Sequence, residues 1–181
     1  MLSRWPVERV GREALPRGPR GLEDYPRGVT WVRVRHPSGV VLDVGSLHLH
    51  QKGDAPDRAL RVEQVRAAAR SGFGGGAAAR LLVGDYNARP GSPTLDAATA
   101  LGWRDLWPEA EPGSPGYSGS VLGAGSPKRI DYVLAAPASG TVLRATRGEL
   151  VGPRTNGDSG KLISDHKAVV VDLTLDVPVG P

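Results

Sequence analysis

The sequence predicts a mixed α/β fold, on three observations. Several segments alternate apolar with polar residues or run apolar over a short stretch, as strands do. One segment carries apolar residues at helical spacing among charges. The remaining stretches are rich in Gly and Pro and read as loops. Residues 29–35 (VTWVRVR) alternate as a half-buried strand, and His36-Pro37-Ser38-Gly39 is a turn into a second strand at 40–49 (VVLDVGSLHL), so the two form a hairpin. Residues 57–71 place Leu60, Val62, Val65 and Ala69 among Arg and Glu, an amphipathic helix with Asp57 near its start. The Gly-rich stretch 72–79 lacks the Gly-Lys-Ser/Thr of a phosphate cradle and is a linker or loop. Residues 80–85 (RLLVGD) read as a buried strand, 93–101 as a short helix near Trp103 and Trp107, and 112–128 as a loop. Further strands are expected at 129–135 (RIDYVLA) and 167–175 (KAVVVDLTL), whereas residues 1–28 show no sustained period and are expected to be an irregular lead-in.

Composition narrows the function. At 181 residues and 19.0 kDa the chain can bury one core, so residues 1–181 are expected to form a single domain. There is no cysteine, which excludes a disulfide framework, Cys-ligated zinc or iron–sulfur, and thiol chemistry. The net charge of +4 suits an anionic substrate without demanding nucleic acid. No apolar run approaches the ~18 residues of a membrane span. The first residues lack the apolar centre of a signal peptide. Cytoplasmic localisation is the default, with any export signal to be sought upstream of Met1.

The chemistry-bearing residues gather at strand ends. Asp85 and Asn87 stand two apart at the end of 80–85, where a strand would point both side chains the same way; Asp and Asn before Pro90-Gly91 also form turns. Asp131 interrupts an apolar strand, and a carboxylate there needs a partner. An arginine would make that pair structural. His166, in Ser164-Asp165-His166, is suited to accept a proton from a hydrolytic water. Asp165 cannot easily orient its immediate neighbour, and Asp131 is the better candidate. His48 and His50 lie two apart as in a zinc site, but no Asp-His follows, so His48 is retained as the site residue and His50 is assigned to the loop. No Gly-x-Ser-x-Gly elbow supports a serine nucleophile. Trp103, Trp107 and Tyr117 could stack on a base or lipid head group, or be buried.

The order of these motifs carries a resemblance. Leu2-Ser3-Arg4-Trp5-Pro6, Ser46-Leu47-His48-Leu49, Arg61-x-x-Gln64, Gly84-Asp85-Tyr86-Asn87-x-x-Pro90, Arg129-Ile130-Asp131-Tyr132-Val133-Leu134 and Ser164-Asp165-His166-x-Ala168-Val169 together resemble the endonuclease/exonuclease/phosphatase (DNase I-like) superfamily. The resemblance implies a four-layer α/β/β/α sandwich and Mg²⁺-assisted hydrolysis of a phosphate ester, with Mn²⁺ as an alternative ion. It implies that His166 is the general base, Asp131 its orienting carboxylate, and Asp85 a ligand of the attacking water or the metal. Asn87 and His48 would hold phosphate oxygens, with Asn87 and Asp165 also close to the metal. Substrates of such a site are nucleic acids, phospholipids or soluble phosphates. The family's N-terminal Asn-bearing strand and its metal-binding Glu have no counterpart here, so the domain is expected to be N-terminally truncated. A non-catalytic phosphate-binding module is the alternative, and a zinc hydrolase built on His48 and His50 a distant third. Oligomeric state is left open.

Overall fold

In a computed structural model of the chain, residues 1–18, 25–119, 127–155 and 160–177 are described. The expected hairpin forms from β2 (Gly28–Arg35) and β3 (Val41–His48), joined at Gly39, whose positive φ closes the turn. A crossover through α1 (Ala55–Arg70) then returns the chain to β4 (Ala79–Asp85), which pairs parallel to β3. A short α2 (Pro93–Thr99), a two-residue β5 (Arg104–Asp105) and a one-turn α3 (Trp107–Ala110) follow. β6 (Asp131–Pro137) pairs antiparallel to β4. These strands, with β1 (Val7–Ala14), make a six-stranded sheet in the order β1-β2-β3-β4-β6-β5. β7 (Val142–Val151) and β8 (Ala168–Asp176) make a second, antiparallel sheet. The architecture is the α/β, DNase I-like one.

Alternation puts the two faces of the large sheet to different uses. Val29, Trp31, Leu47, Leu82, Tyr132 and Leu134 face α1 and α2 and pack on Val65, Ala68, Leu95 and Ala98. Val32, Val34, Leu42, Leu81 and Ala135 face the other way, onto Leu143 and Ala145 of β7 and the inner side chains Val171, Leu173 and Leu175 of β8. Each such fully buried aliphatic contributes about 1.5–3 kcal/mol. Arg80 lies over both the Trp31 and Trp103 rings, 5.0 Å from each centroid. Gly84 is a point of enforced closeness: at φ +135° a Cβ there would sit 2.0 Å from the Leu47 carbonyl oxygen.

Two features depart from expectation. Residues 7–14 are a strand and not part of an irregular lead-in, held to β2 by backbone pairing from Val7↔Val34 to Ala14↔Gly28. It is an exposed edge strand with a register shift between Val7 and Arg9, so no buried face imposes a period of two on its side chains. The second is β7, a strand the sequence pattern does not reveal: its inward residues are Leu143 and Ala145 but then Gly148, because a register shift between Ala145 and Arg147 flips the parity of the pattern. The aromatics divide between the two alternatives left open for them. Trp103 and Trp107 are buried and cannot stack on a ligand, whereas Tyr117 is exposed. No helix among the described residues is long and apolar enough to cross a membrane.

Candidate active site

The sheet topology brings the polar residues together. β3 and β4 run parallel, so both end on the same side of the sheet. β6 runs against β4 and therefore begins there. The pairing places His48 opposite Asp85 and Asp85 opposite Asp131, a row of three functional side chains across three neighbouring strands. His166 enters from the second sheet, on the segment leading into β8. Ligand atoms of Asp85, Asp131 and His166 all lie within 4.8 Å of one another.

The partner that Asp131 requires is an imidazole. His166 Nδ1 lies 2.9 Å from Asp131 Oδ2, and the carboxylate assigns Nδ1 as the donor. Nε2 then faces away from the carboxylate, available as an acceptor. Arg129, the neighbouring cation, is instead engaged with Asp105 and lies over the Tyr132 ring.

Ser118 joins this cluster, and sequence reasoning passes over it. Its buried Oγ donates to the same Asp131 Oδ2 at 2.8 Å and accepts the Asp131 N–H at 3.1 Å. Its carbonyl accepts the Lys167 N–H at 2.9 Å. One serine thus fixes the carboxylate and also ties down the chain beside the histidine, joining the two sheets at the site. A serine inside a Gly/Ser-rich loop carries no signal of this in the sequence.

Asp85 and Asn87 are arranged by a turn, not by a continuing strand. β4 stops at Asp85, Tyr86 is buried, and Asn87 adopts φ +48°, a left-handed conformation that Asn tolerates. Its N–H donates to Asp85 Oδ1 at 2.7 Å, and its Nδ2 donates to the Leu49 carbonyl at 3.0 Å. Burial pushes the Asp85 carboxyl above the ordinary carboxylate range, and the neighbouring charge of Asp131 adds to this. His48 Nε2 stands 3.4 Å from Asp85 Oδ2, too far for a good hydrogen bond. Burial holds the His48 imidazole below its usual value, which the Asp85 charge does not reverse. Both shifts oppose an ion pair, and His48, half-exposed, stands at the rim.

Two candidates lie elsewhere. Asp165 is exposed and outside the cluster, whereas the neighbouring His166 is turned inward to Asp131. His50 is in the segment after β3, as expected, but it is buried and its Nε2 is 2.8 Å from Asp57 Oδ1. His48 and His50 thus serve different surroundings, and the two do not form a zinc pair.

The donor set fits a hard divalent cation. It consists of two partly buried carboxylates, an amide and imidazoles with no sulfur, and a cation would offset the charge on Asp85 that its surroundings disfavour. A cleft of about 340 Å³ opens beside His166, lined in part by Val151, Pro153, Ile163 and Lys167. A larger one of about 1100 Å³, near Arg35 and Asp176, holds none of the candidate side chains.

Comparison with known proteins bears on the family and the fold. The sequence model of the Endonuclease/Exonuclease/phosphatase family matches residues 1–166. A sphingomyelinase of Mycobacterium tuberculosis is 27% identical over 150 residues, 80% of this chain and 30% of that protein. An endonuclease/exonuclease/phosphatase from Beutenbergia cavernae superposes with a TM-score of 0.68 at 24% identity, over 96% of this chain and 46% of that one. A mannosyl-6-phosphatase from Bacteroides thetaiotaomicron gives 0.66 at 19% identity, over 94% and 67%. The chain therefore spans less than a third of the length of the curated relative and about half that of the first of these structures.

Proposed function

The chain belongs to the endonuclease/exonuclease/phosphatase family, and on that premise we propose that it hydrolyses phosphate esters, phosphodiesters foremost, by divalent-metal-assisted attack of water. The observation that carries this reading is the convergence of Asp85, Asp131 and His166, with His166 Nδ1 held 2.9 Å from Asp131 Oδ2.

In this reading His166 is the general base. With Nδ1–H committed to Asp131, Nε2 takes a proton from the attacking water, and the carboxylate stabilises the imidazolium that results. Ser118 keeps Asp131 in place through that change of charge. Asp85, with Asn87 beside it, would hold Mg²⁺ or Mn²⁺, which when bound supplies neutralisation of the phosphoryl oxygens. Asn87 keeps a second amide hydrogen for a phosphate oxygen after its bond to Leu49. His48, half-exposed at the rim, would donate to another.

The test is hydrolysis of a chromogenic phosphodiester, bis(4-nitrophenyl) phosphate, with Mg²⁺, with EDTA, and in His166→Ala. Turnover that needs the metal and falls by about 10²–10⁴ in the variant is expected. A variant as fast as the parent would remove His166 from the role of base.

A further inference from the structure

The helix motif Arg61-x-x-Gln64 has no part in the chemistry above, yet both polar side chains are buried on the inward face of α1, beside Leu60, Val65 and Ala68. Three of the hydrogen bonds they make run to one segment, residues 50–52. Gln64 Oε1 accepts the His50 N–H at 2.9 Å, and its Nε2 donates to the Pro16 carbonyl at 3.0 Å. Arg61 Nη1 donates to the His50 carbonyl at 3.1 Å and also to the Lys52 carbonyl. Asp57, from the first turn of the same helix, holds the His50 ring. On its other side the same segment meets the active site: the Leu49 N–H donates to the Asp85 carbonyl at 2.9 Å, and the Leu49 carbonyl accepts Asn87 Nδ2 at 3.0 Å.

The backbone of residues 49–52 is therefore gripped from α1 on one side while it orients the Asn87 amide on the other. From this continuity we infer that Arg61 and Gln64 are positioning residues, which set the Asn87 side chain through the Leu49 carbonyl. The physical reason is rigidity. A left-handed Asn after a strand end has few neighbours of its own to fix its side chain, and a carbonyl on a free loop would let the amide turn. With the flanking His50 N–H and carbonyl both taken by α1, the Leu49 peptide has one orientation and Asn87 one partner. Packing could have been supplied by leucines at 61 and 64, but directional control of a loop backbone needs groups that both donate and accept.

The inference rests on the proposed activity only for its kinetic consequence, so the experiment has two readouts. The first is the Asn87 side-chain amide in a ¹H–¹⁵N spectrum, assigned by its loss in Asn87→Ala. It is followed in Gln64→Leu, Arg61→Met and the milder Arg61→Lys. Val65→Ala, on the same helix but buried in the apolar core, is the control for destabilisation alone. The amide is expected to shift and to exchange its protons at least tenfold faster in the position 61 and 64 variants, least in Arg61→Lys, and to stay unchanged in Val65→Ala although its thermal midpoint falls. An unmoved Asn87 amide in any folded variant at 61 or 64, or an equal change in Val65→Ala, would overturn the inference. The second readout is phosphodiester turnover, where kcat is expected to fall about tenfold with KM changed less than twofold, and Arg61→Lys to recover part of it. A parent chain without turnover would defeat the proposed activity, while the amide spectra would still decide the positioning role.

Discussion

Replacing Asp131 by Asn tests the proposed base most sharply, because the variant keeps the shape of the side chain and removes its charge. The orientation of the new amide is set by Ser118. Its hydroxyl hydrogen points at Oδ2 while its oxygen already accepts the Asp131 N–H, so an amide oxygen, and not an NH₂, is favoured at that position. His166 therefore keeps the tautomer with Nδ1–H, and what is lost is the attraction between carboxylate and imidazolium. At about 4 Å and an effective dielectric near 20 that attraction is about 4 kcal/mol, about 10³ in rate. His166 is 25% exposed and Asp131 19%, so solvent screening lowers the expected loss to about 10²–10³ in kcat with KM little changed. Adding Ser118→Ala frees the amide to rotate its NH₂ toward Nδ1, which forces the proton onto Nε2 and leaves no base. The double variant should approach a loss of about 10⁴. The assay is steady-state hydrolysis of a chromogenic phosphodiester, with thermal unfolding to check that the variants remain folded. An Asp131→Asn protein within threefold of the parent would refute the reasoning, as would a double variant no slower than the single one.

Two predictions concern stability. Gly84→Ala should destabilise by about 3 kcal/mol or more, since it combines φ +135° with a Cβ driven against the Leu47 carbonyl, as measured by urea unfolding. Asp85→Asn should stabilise the metal-free protein while abolishing cation binding. The folded-state carboxyl of Asp85 titrates above its unfolded value, so the folded parent is penalised at neutral and higher pH and recovers stability as pH falls through that raised value toward about 3.9. Unfolding with chelator present should show the variant ahead at pH 8 and the difference closing on acidification; a difference that widens instead would reverse the assigned direction.

The parts of the fold visible in the sequence are those where burial imposes a pattern. Strands β2, β3, β4 and β6 each put apolar residues on a packed face, and α1 shows its stripe. Asp131 stands out because a carboxylate in an apolar strand needs a partner, and position and chemistry together point to His166. Where burial does not dictate pattern, the sequence is silent. β1 is an edge held by backbone bonds, and β7 changes parity at its irregularity. Ser118 looks like any loop serine. Arg61 and Gln64 look like ordinary polar residues of a helix, because a buried polar group satisfied by a distant backbone leaves no local trace of its partner. The spacing of Asn87 from Asp85 predicts a shared strand face, and a left-handed turn brings the two together instead.

The central claim is that one end of the large sheet grips a divalent cation at Asp85, beside His48 and His166. The chain has four histidines, which serve as internal reporters. His36 sits in the turn between β2 and β3, at the opposite end of β3 from His48. Titration with Mn²⁺, followed by the ring-proton signals of all four, should broaden His48 and His166 first and leave His36 sharp, with the effect lost in Asp85→Asn. Broadening of His36 alongside the others, or no selective broadening at His48 and His166, would contradict the account.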